Sequence, residues 1–168
     1  MFFEFLLDVL KFAWELGFIC VGIPEAYGGL GMPFTSSMLV CDYISGSSGS
    51  TSTAFGAHTG IGTMPILLYG NEDQKIKYIQ KLASGEYFGA YCLTEPGAGS
   101  DANSGKTKAV LSNDKSHYLI SGQKIWISNA GFADILTVFA KIEDDKNLTA
   151  FIVPNDSKNG ISFGKEEE

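Results

Sequence analysis

Glu4, Asp8, Lys11 and Glu15 follow one another at steps of four, three and four through an otherwise apolar opening segment. That spacing lines the charges along one narrow stripe of a helix, with Phe5, Leu6, Val9, Leu10, Phe12, Ala13, Trp14 and Leu16 around the rest. Such a helix needs cover on most of its circumference. Gly17 supplies a stop. Ile23-Pro24-Glu25-Ala26-Tyr27-Gly28-Gly29-Leu30-Gly31 then reads as a turn-rich connector, and Thr35 or Ser36 can cap a second helix that runs to about Ile44. Residues 45–53 are mostly Ser, Gly and Thr, which propensity alone reads as a flexible linker. In Ala54 to Tyr69 the glycines Gly56, Gly60 and Gly62 alternate with large apolar residues, a pattern equally compatible with close helix–helix approach. Asn71, Glu72, Asp73 and Gln74 form a capping-box start, after which Ile76, Ile79, Leu82 and Ala83 share one helical face and Gly85 ends the helix.

From Glu86 onward the period shortens. Tyr87–Thr94, Thr107–Leu111, Tyr118–Ile120, Lys124–Ser128, Ile135–Ile142, Leu148–Val153 and Ile161–Phe163 read as short strands. Asn113-Asp114, residues 144–147 and residues 155–160 supply turns between them. The expected fold is α+β in two domains. Residues 1–86 form a helical domain, and residues 87–168 form an antiparallel barrel or sandwich. Lys165-Glu166-Glu167-Glu168 completes no element, and the chain opens directly on a core-type helix, so the expectation is a piece of a longer protein.

Composition narrows the function. Of 168 residues, 45% are apolar and 18% charged, enough for a core and too few charges for disorder. A net charge of −7, with no basic cluster to offset it, argues against nucleic acid. The charges in residues 1–19 and the missing basic leader argue against a membrane span or signal peptide. Cys20, Cys41 and Cys92 have no metal-ligand spacing and read as buried thiols in a reducing compartment.

The candidate chemistry lies in Tyr91-Cys92-Leu93-Thr94-Glu95-Pro96-Gly97-Ala98-Gly99-Ser100-Asp101 and in Trp126-Ile127-Ser128. Glycines in the first run let an anion approach the backbone N–H groups, while Thr94 offers an N–H and a hydroxyl. Trp126 offers a flat apolar wall, and in a strand Ser128 would share its side. Together and in this order the runs resemble the acyl-CoA dehydrogenase signature, aromatic-x-hydrophobic-Thr-Glu-Pro-x-x-Gly-Ser-Asp. Gly122-Gln123-Lys124-Ile125-Trp126-Ile127-Ser128-Asn129-Ala130-Gly131 is similar to the family's second flavin segment, with Ser where many members have Thr. Ile23 to Gly29 and Gly70 to Lys75 resemble two further elements, so the resemblance covers nearly the whole chain.

The resemblance implies FAD as cofactor and α,β-dehydrogenation of a fatty acyl-CoA, as in fatty acid β-oxidation. Tyr91 to Ser100 would line the FAD, with the main chain of Tyr91 and Leu93 and the Thr94 hydroxyl at the isoalloxazine. Ser100 would sit where the FAD pyrophosphate and the acyl-CoA thioester meet. Trp126 would pack beside the flavin, Ile127 would lie in the same segment, and Ser128 would hydrogen-bond flavin N5. The resemblance also implies a helix over Ala54–Tyr69, electron-transferring flavoprotein as acceptor, and a homo-oligomer. It points to the cytoplasm in a bacterium or the mitochondrial matrix in a eukaryote. It leans toward long-chain or very-long-chain members, and an acyl-CoA oxidase or a non-catalytic flavin-binding fragment is the alternative. The catalytic base, a Glu of the C-terminal helical domain, has no counterpart in residues 1–168. Glu95 reads as a structural carboxylate bonding turn amides, and His58 and His117 are poor candidates for a base. No metal is expected.

Overall fold

The computed structural model describes residues 2–156 and 160–164. The side chains of Glu4, Phe5 and Leu6, the centre of the turn expected at 155–160 and the charged tail 165–168 lie outside the described residues. Among the described residues, five α-helices precede five strands.

Helix α1 (Phe2–Glu15) ends where Gly17 takes a φ of 76°, a left-handed turn that glycine adopts without strain. Leu10 is fully buried, whereas Phe12 and Leu16 are exposed, so the helix is covered on one side only. Helix α2 (Phe34–Ser47) begins after Pro33 with no side-chain cap, rather than from a Thr35 or Ser36 hydroxyl. Proline's fixed φ and missing N–H suit a helix start without further help. Ser48 alone separates α2 from α3 (Gly49–Gly56), and its hydroxyl caps α3 by accepting the Thr51 N–H at 3.3 Å. The stretch that propensity reads as a linker is therefore almost wholly helical. Its hydroxyls turn inward on the helices: Thr53 Oγ1 donates to the Gly49 carbonyl at 2.9 Å, and the Ser45 and Ser52 hydroxyls meet at 2.6 Å.

After α3 the chain widens into a π-turn (Ala57–Gly62), then resumes as α4 (Met64–Tyr69). The helix implied over Ala54–Tyr69 is thus present, with a bulge in its middle. Helix α5 (Glu72–Ala83) starts on the expected capping box, with Gln74 N–H to Asn71 Oδ1 at 2.9 Å and Asn71 N–H to Gln74 Oε1 at 3.0 Å. Ile79, Leu82 and Ala83 are buried as expected, but Ile76 is exposed and Tyr78 takes its place inward.

The strands are β1 (Gly89–Cys92), β2 (Lys108–Leu111), β3 (Tyr118–Ser121), β4 (Ile135–Ile142) and β5 (Thr149–Pro154). Strand β4 organises the sheet. It pairs antiparallel with β5, and parallel with both β1 and β2, while β3 pairs antiparallel with β2. The sheet is therefore mixed, not wholly antiparallel, and it does not close into a barrel. The chain from Cys92 to Ile135 is long enough to cross over and re-enter alongside β1, which a tight hairpin cannot do. Lys124–Ser128 and Ile161–Phe163, expected as strands, are not strands.

Two hydrophobic clusters join helices to sheet. Ile66, Tyr78, Ile79 and Leu82 pack with Ile135 of β4, and Leu10, Ile19, Ala54 and Phe55 pack with Phe88. Full burial of Ile79 or Leu82 contributes about 1.5–3 kcal/mol each. The π-turn touches β1 backbone to backbone: a Cβ on Gly62 would stand 2.7 Å from the Gly89 carbonyl group. Only glycines permit that approach.

Candidate functional site

Strands β1 and β2 lie end to end on the same edge of β4, at Ile135–Val138 and at Lys141–Ile142. Between them the chain leaves the sheet, and residues 93–107 form the loop that carries the Thr-Glu-Pro run. Its tip is a tight turn closed by Ala98 N–H to Glu95 O at 3.0 Å and Glu95 N–H to Ala98 O at 3.1 Å. Ala98 is buried beneath the turn, whereas Pro96, Gly97, Gly99 and Ser100 are exposed. A Cβ on Gly97 or Gly99 would meet nothing within 4 Å. The chain's own packing does not demand glycine at either place; an approaching ligand would.

Glu95 sits under this turn and holds it. Its carboxylate accepts Lys106 N–H at 2.6 Å, Thr107 N–H at 3.1 Å and the Lys124 ammonium at 2.7 Å. Burial by itself would raise its pKa. The Lys124 ammonium and the two amides outweigh that and hold it down to about 2. Lys124, itself mostly buried, also donates to the Leu93 carbonyl at 3.0 Å. One ammonium thus pins the exit of β1, the carboxylate beneath the turn and the second motif run. A carboxylate so firmly ionised and so fully bonded is unfit to collect a proton near neutral pH. Glu95 bonds backbone amides, but those of Lys106 and Thr107 at the far end of the loop rather than of its own turn; Lys124 is the partner that the sequence reading missed.

Residues 122–133 form a loop rather than a strand. Trp126 and Asn129 both have positive φ, 56° and 67°. Ile125 N–H bonds the Thr94 carbonyl at 3.0 Å, so the loop stays beside the exit of β1. The in–out alternation expected of a strand survives without the strand: Ile125 and Ile127 are half-buried, and Trp126 and Ser128 exposed. Ile127 packs against the cluster of Ala90, Cys92, Ala133 and Leu136. Trp126 is 73% exposed, an unusual state for an indole whose backbone is also strained.

The edge of β1 shows a donor–acceptor pattern. Ile135 N–H bonds the Phe88 carbonyl at 3.1 Å, so in the parallel register Phe88, Ala90 and Cys92 face β4 and Gly89, Tyr91 and Leu93 face away. On that outer edge the Gly89 N–H goes to His58 Nδ1 at 3.1 Å, and the Leu93 carbonyl goes to Lys124. The Gly89 carbonyl also lies on that edge, against Gly62; beyond it come in order Tyr91 N–H, Tyr91 C=O and Leu93 N–H, a donor, an acceptor and a donor. The hydroxyls of Thr94, Ser100 and Ser128 make no hydrogen bond to another described residue.

His58 is buried in the π-turn. Because Nδ1 accepts from Gly89, its Nε2 carries the proton and donates to the Leu82 carbonyl at 3.1 Å. Burial lowers its pKa to about 4, so it is a neutral bracket between α5 and β1, not a base. His117 is exposed beside β3. Burial raises the Cys92 thiol to about 11, and burial likewise raises Cys20, leaving both inert near neutral pH. Among the described residues no group of His, Cys, Asp or Glu could hold a metal ion, and no helix is long and apolar enough to cross a membrane.

A helical half set against a mixed sheet, with the Thr-Glu-Pro loop at the point where β4 changes partners, defines the first two domains of a known enzyme fold. Residues 3–86 match the acyl-CoA dehydrogenase N-terminal domain and residues 90–168 its middle domain; the chain belongs to the acyl-CoA dehydrogenase family. It is 49% identical over 166 residues to a Bacillus subtilis protein named "Probable acyl-CoA dehydrogenase", covering 99% of this chain and 27% of that one. It is 41% identical over 169 residues to the rat mitochondrial very long-chain specific acyl-CoA dehydrogenase, covering 96% and 26%. The solved acyl-CoA dehydrogenase of Bacillus anthracis complexed with FAD superposes with a TM-score of 0.94 at 45% identity, over 99% of this chain and 28% of that one. The chain thus spans about a quarter of the length of these relatives.

Proposed function

We propose that this chain forms the flavin seat of an FAD-dependent acyl-CoA dehydrogenase acting on fatty acyl-CoA thioesters. The observation that carries the reading is the unspent outer edge of β1. A donor, an acceptor and a donor at Tyr91 and Leu93 complement the acceptor–donor–acceptor pyrimidine edge of an isoalloxazine. The exposed Trp126 face and the free hydroxyls of Thr94 and Ser128 flank that edge, so the residues present fit the group.

Bound there, FAD supplies the hydride acceptor at N5. The chain's own residues do the holding. Tyr91 and Leu93 fix the pyrimidine edge through main-chain bonds, and Trp126 walls one side against water. Ser128 offers its hydroxyl to N5. The loop of Gly97 and Gly99 lets the pyrophosphate approach backbone N–H groups, and Ser100 stands at the junction with the thioester. Glu95 and Lys124 keep the loop in shape without touching ligand. Glu95, locked as an anion by Lys124 and two amides, is not the base for the α-proton. We assign that duty to the part of the relatives' length that this chain does not span. On the same reading the whole protein passes electrons to an electron-transferring flavoprotein and assembles as a homo-oligomer. It works in the cytoplasm of a bacterium or the matrix of a mitochondrion, on long acyl chains as its rat relative's name suggests.

The whole protein should be purified yellow, absorbing near about 450 nm, and should bleach on anaerobic addition of a long-chain acyl-CoA. Failure to bind flavin would sink the assignment. Oxygen consumption at the turnover rate would make it an oxidase. Bleaching by residues 1–168 alone would overturn the placement of the base.

A further inference from the structure

Asn129 lies one residue beyond Ser128 and has no part in the seat described above. The residue is 9% exposed, and its Nδ2 donates to the Ala54 carbonyl at 2.9 Å. Its own carbonyl accepts Phe132 N–H at 3.0 Å and Ala133 N–H at 2.8 Å. Its φ of 67° is one that asparagine tolerates better than most residues. Ala54 lies in the last turn of α3 before the π-turn, and its carbonyl also takes the Ala57 N–H. Asn129 therefore ties the loop to α3 at the place where the helix widens.

Nearby, the Phe132 ring packs edge-on against Phe88 with centroids 5.6 Å apart. That contact holds the loop against the helical half, but an apolar contact has no direction. The buried amide does: it fixes one angle between the loop and α3. A left-handed residue with two main-chain bonds behind it then transmits that angle to the residue before it. We propose that Asn129 is a positioning residue, setting the height and direction of the Ser128 hydroxyl by bonding the Ala54 carbonyl. The proposal rests on the reading of Ser128 as the partner of flavin N5.

The test is a double-mutant cycle in the whole, FAD-loaded protein, reading the rate of flavin reduction by saturating acyl-CoA and the thioester's dissociation constant. Asn129→Gly removes the amide while keeping the left-handed conformation accessible. It should slow reduction about tenfold and change thioester affinity by less than about threefold. In a Ser128→Ala background the same substitution should change the rate by less than about twofold, because the hydroxyl it positions is gone. Equal slowing in both backgrounds, or no slowing in either, overturns the proposal. If Asn129→Gly does not fold, Asn129→Asp runs the same cycle, with equal size and no donor. Failure of both to fold assigns Asn129 to stability and overturns it too. Ser128→Ala at the unmutated rate overturns instead the reading of Ser128 on which the proposal stands.

Discussion

Residues 45–62 and residues 122–133 have opposite compositions and opposite surprises. The first stretch is rich in Ser, Gly and Thr, poor helix formers, yet it is helical nearly throughout. The second contains Ile125, Trp126 and Ile127, good strand formers, yet it is a loop with two left-handed residues. In the first, small side chains let a helix lie close to its neighbours. Ala54 and Phe55 are buried, and Gly62 meets Gly89 backbone to backbone. In the second, the Ile125 bond to Thr94, the Lys124 ion pair and the Asn129 amide give the backbone specific partners that no ladder would supply. The packed partner, not the local preference, decides in both.

The largest effect should come from cutting the loop's ionic anchor. Lys124→Met leaves the Glu95 carboxylate buried without its cation and should cost about 3–5 kcal/mol in denaturant unfolding. A loss within about 0.5 kcal/mol would show that the Lys106 and Thr107 amides hold Glu95 unaided.

The helical stretch answers to pH instead. His58 titrates at about 4 in the fold against an ordinary value of 6.5, so the fold favours the neutral ring. Stability from this group is whole above pH 6.5 and falls between pH 6.5 and 4, by roughly 3 kcal/mol in all. His58→Asn should flatten that span of the stability–pH curve. Glu95, at about 2 against 4.5, acts in a lower window: its contribution is present above pH 4.5 and lost as pH falls toward 2. A single decline beginning below pH 4.5 would break the assignment of His58 as a neutral bracket.

Two glycines in the same helical stretch should give opposite signs. Gly62→Ala forces a Cβ to 2.7 Å from the Gly89 carbonyl group and should destabilise by about 1–3 kcal/mol, read as a lower Tm. Gly46→Ala in α2 meets nothing within 4 Å and should stabilise by about 0.5–1 kcal/mol. Like signs would mean that backbone approach does not govern the π-turn.

The smallest stability change belongs to Trp126→Gly. The indole is mostly exposed and its φ of 56° favours glycine, so unfolding should shift by no more than about 1 kcal/mol. Flavin affinity and turnover should nonetheless fall sharply. A large loss of stability with flavin binding intact would make Trp126 a packing residue.

The sequence by itself determined the elements whose signals are local. The Asn71–Gln74 capping box, the stop at Gly17, strand β4 at its full length and the helix-then-strand order all follow from spacing and turn chemistry over a few residues. It also carried the family, because the Thr94-Glu95-Pro96 and Trp126-Ile127-Ser128 runs are specific as ordered strings. Tertiary structure alone decided the rest. Nothing in the string shows that Lys124 reaches back to Leu93 and Glu95, that Asn129 bonds Ala54, or that His58 joins Leu82 to Gly89. Each pairs groups far apart in the chain, through a buried polar atom that must find a partner. β1 and β2 share one edge of β4 because the chain resumes after the loop in the same direction and β4 later comes back alongside both, and strand pairing is a property of the returning chain rather than of either strand. That arrangement turns the odd residues of β1 outward and leaves Tyr91 and Leu93 with main-chain groups to spend.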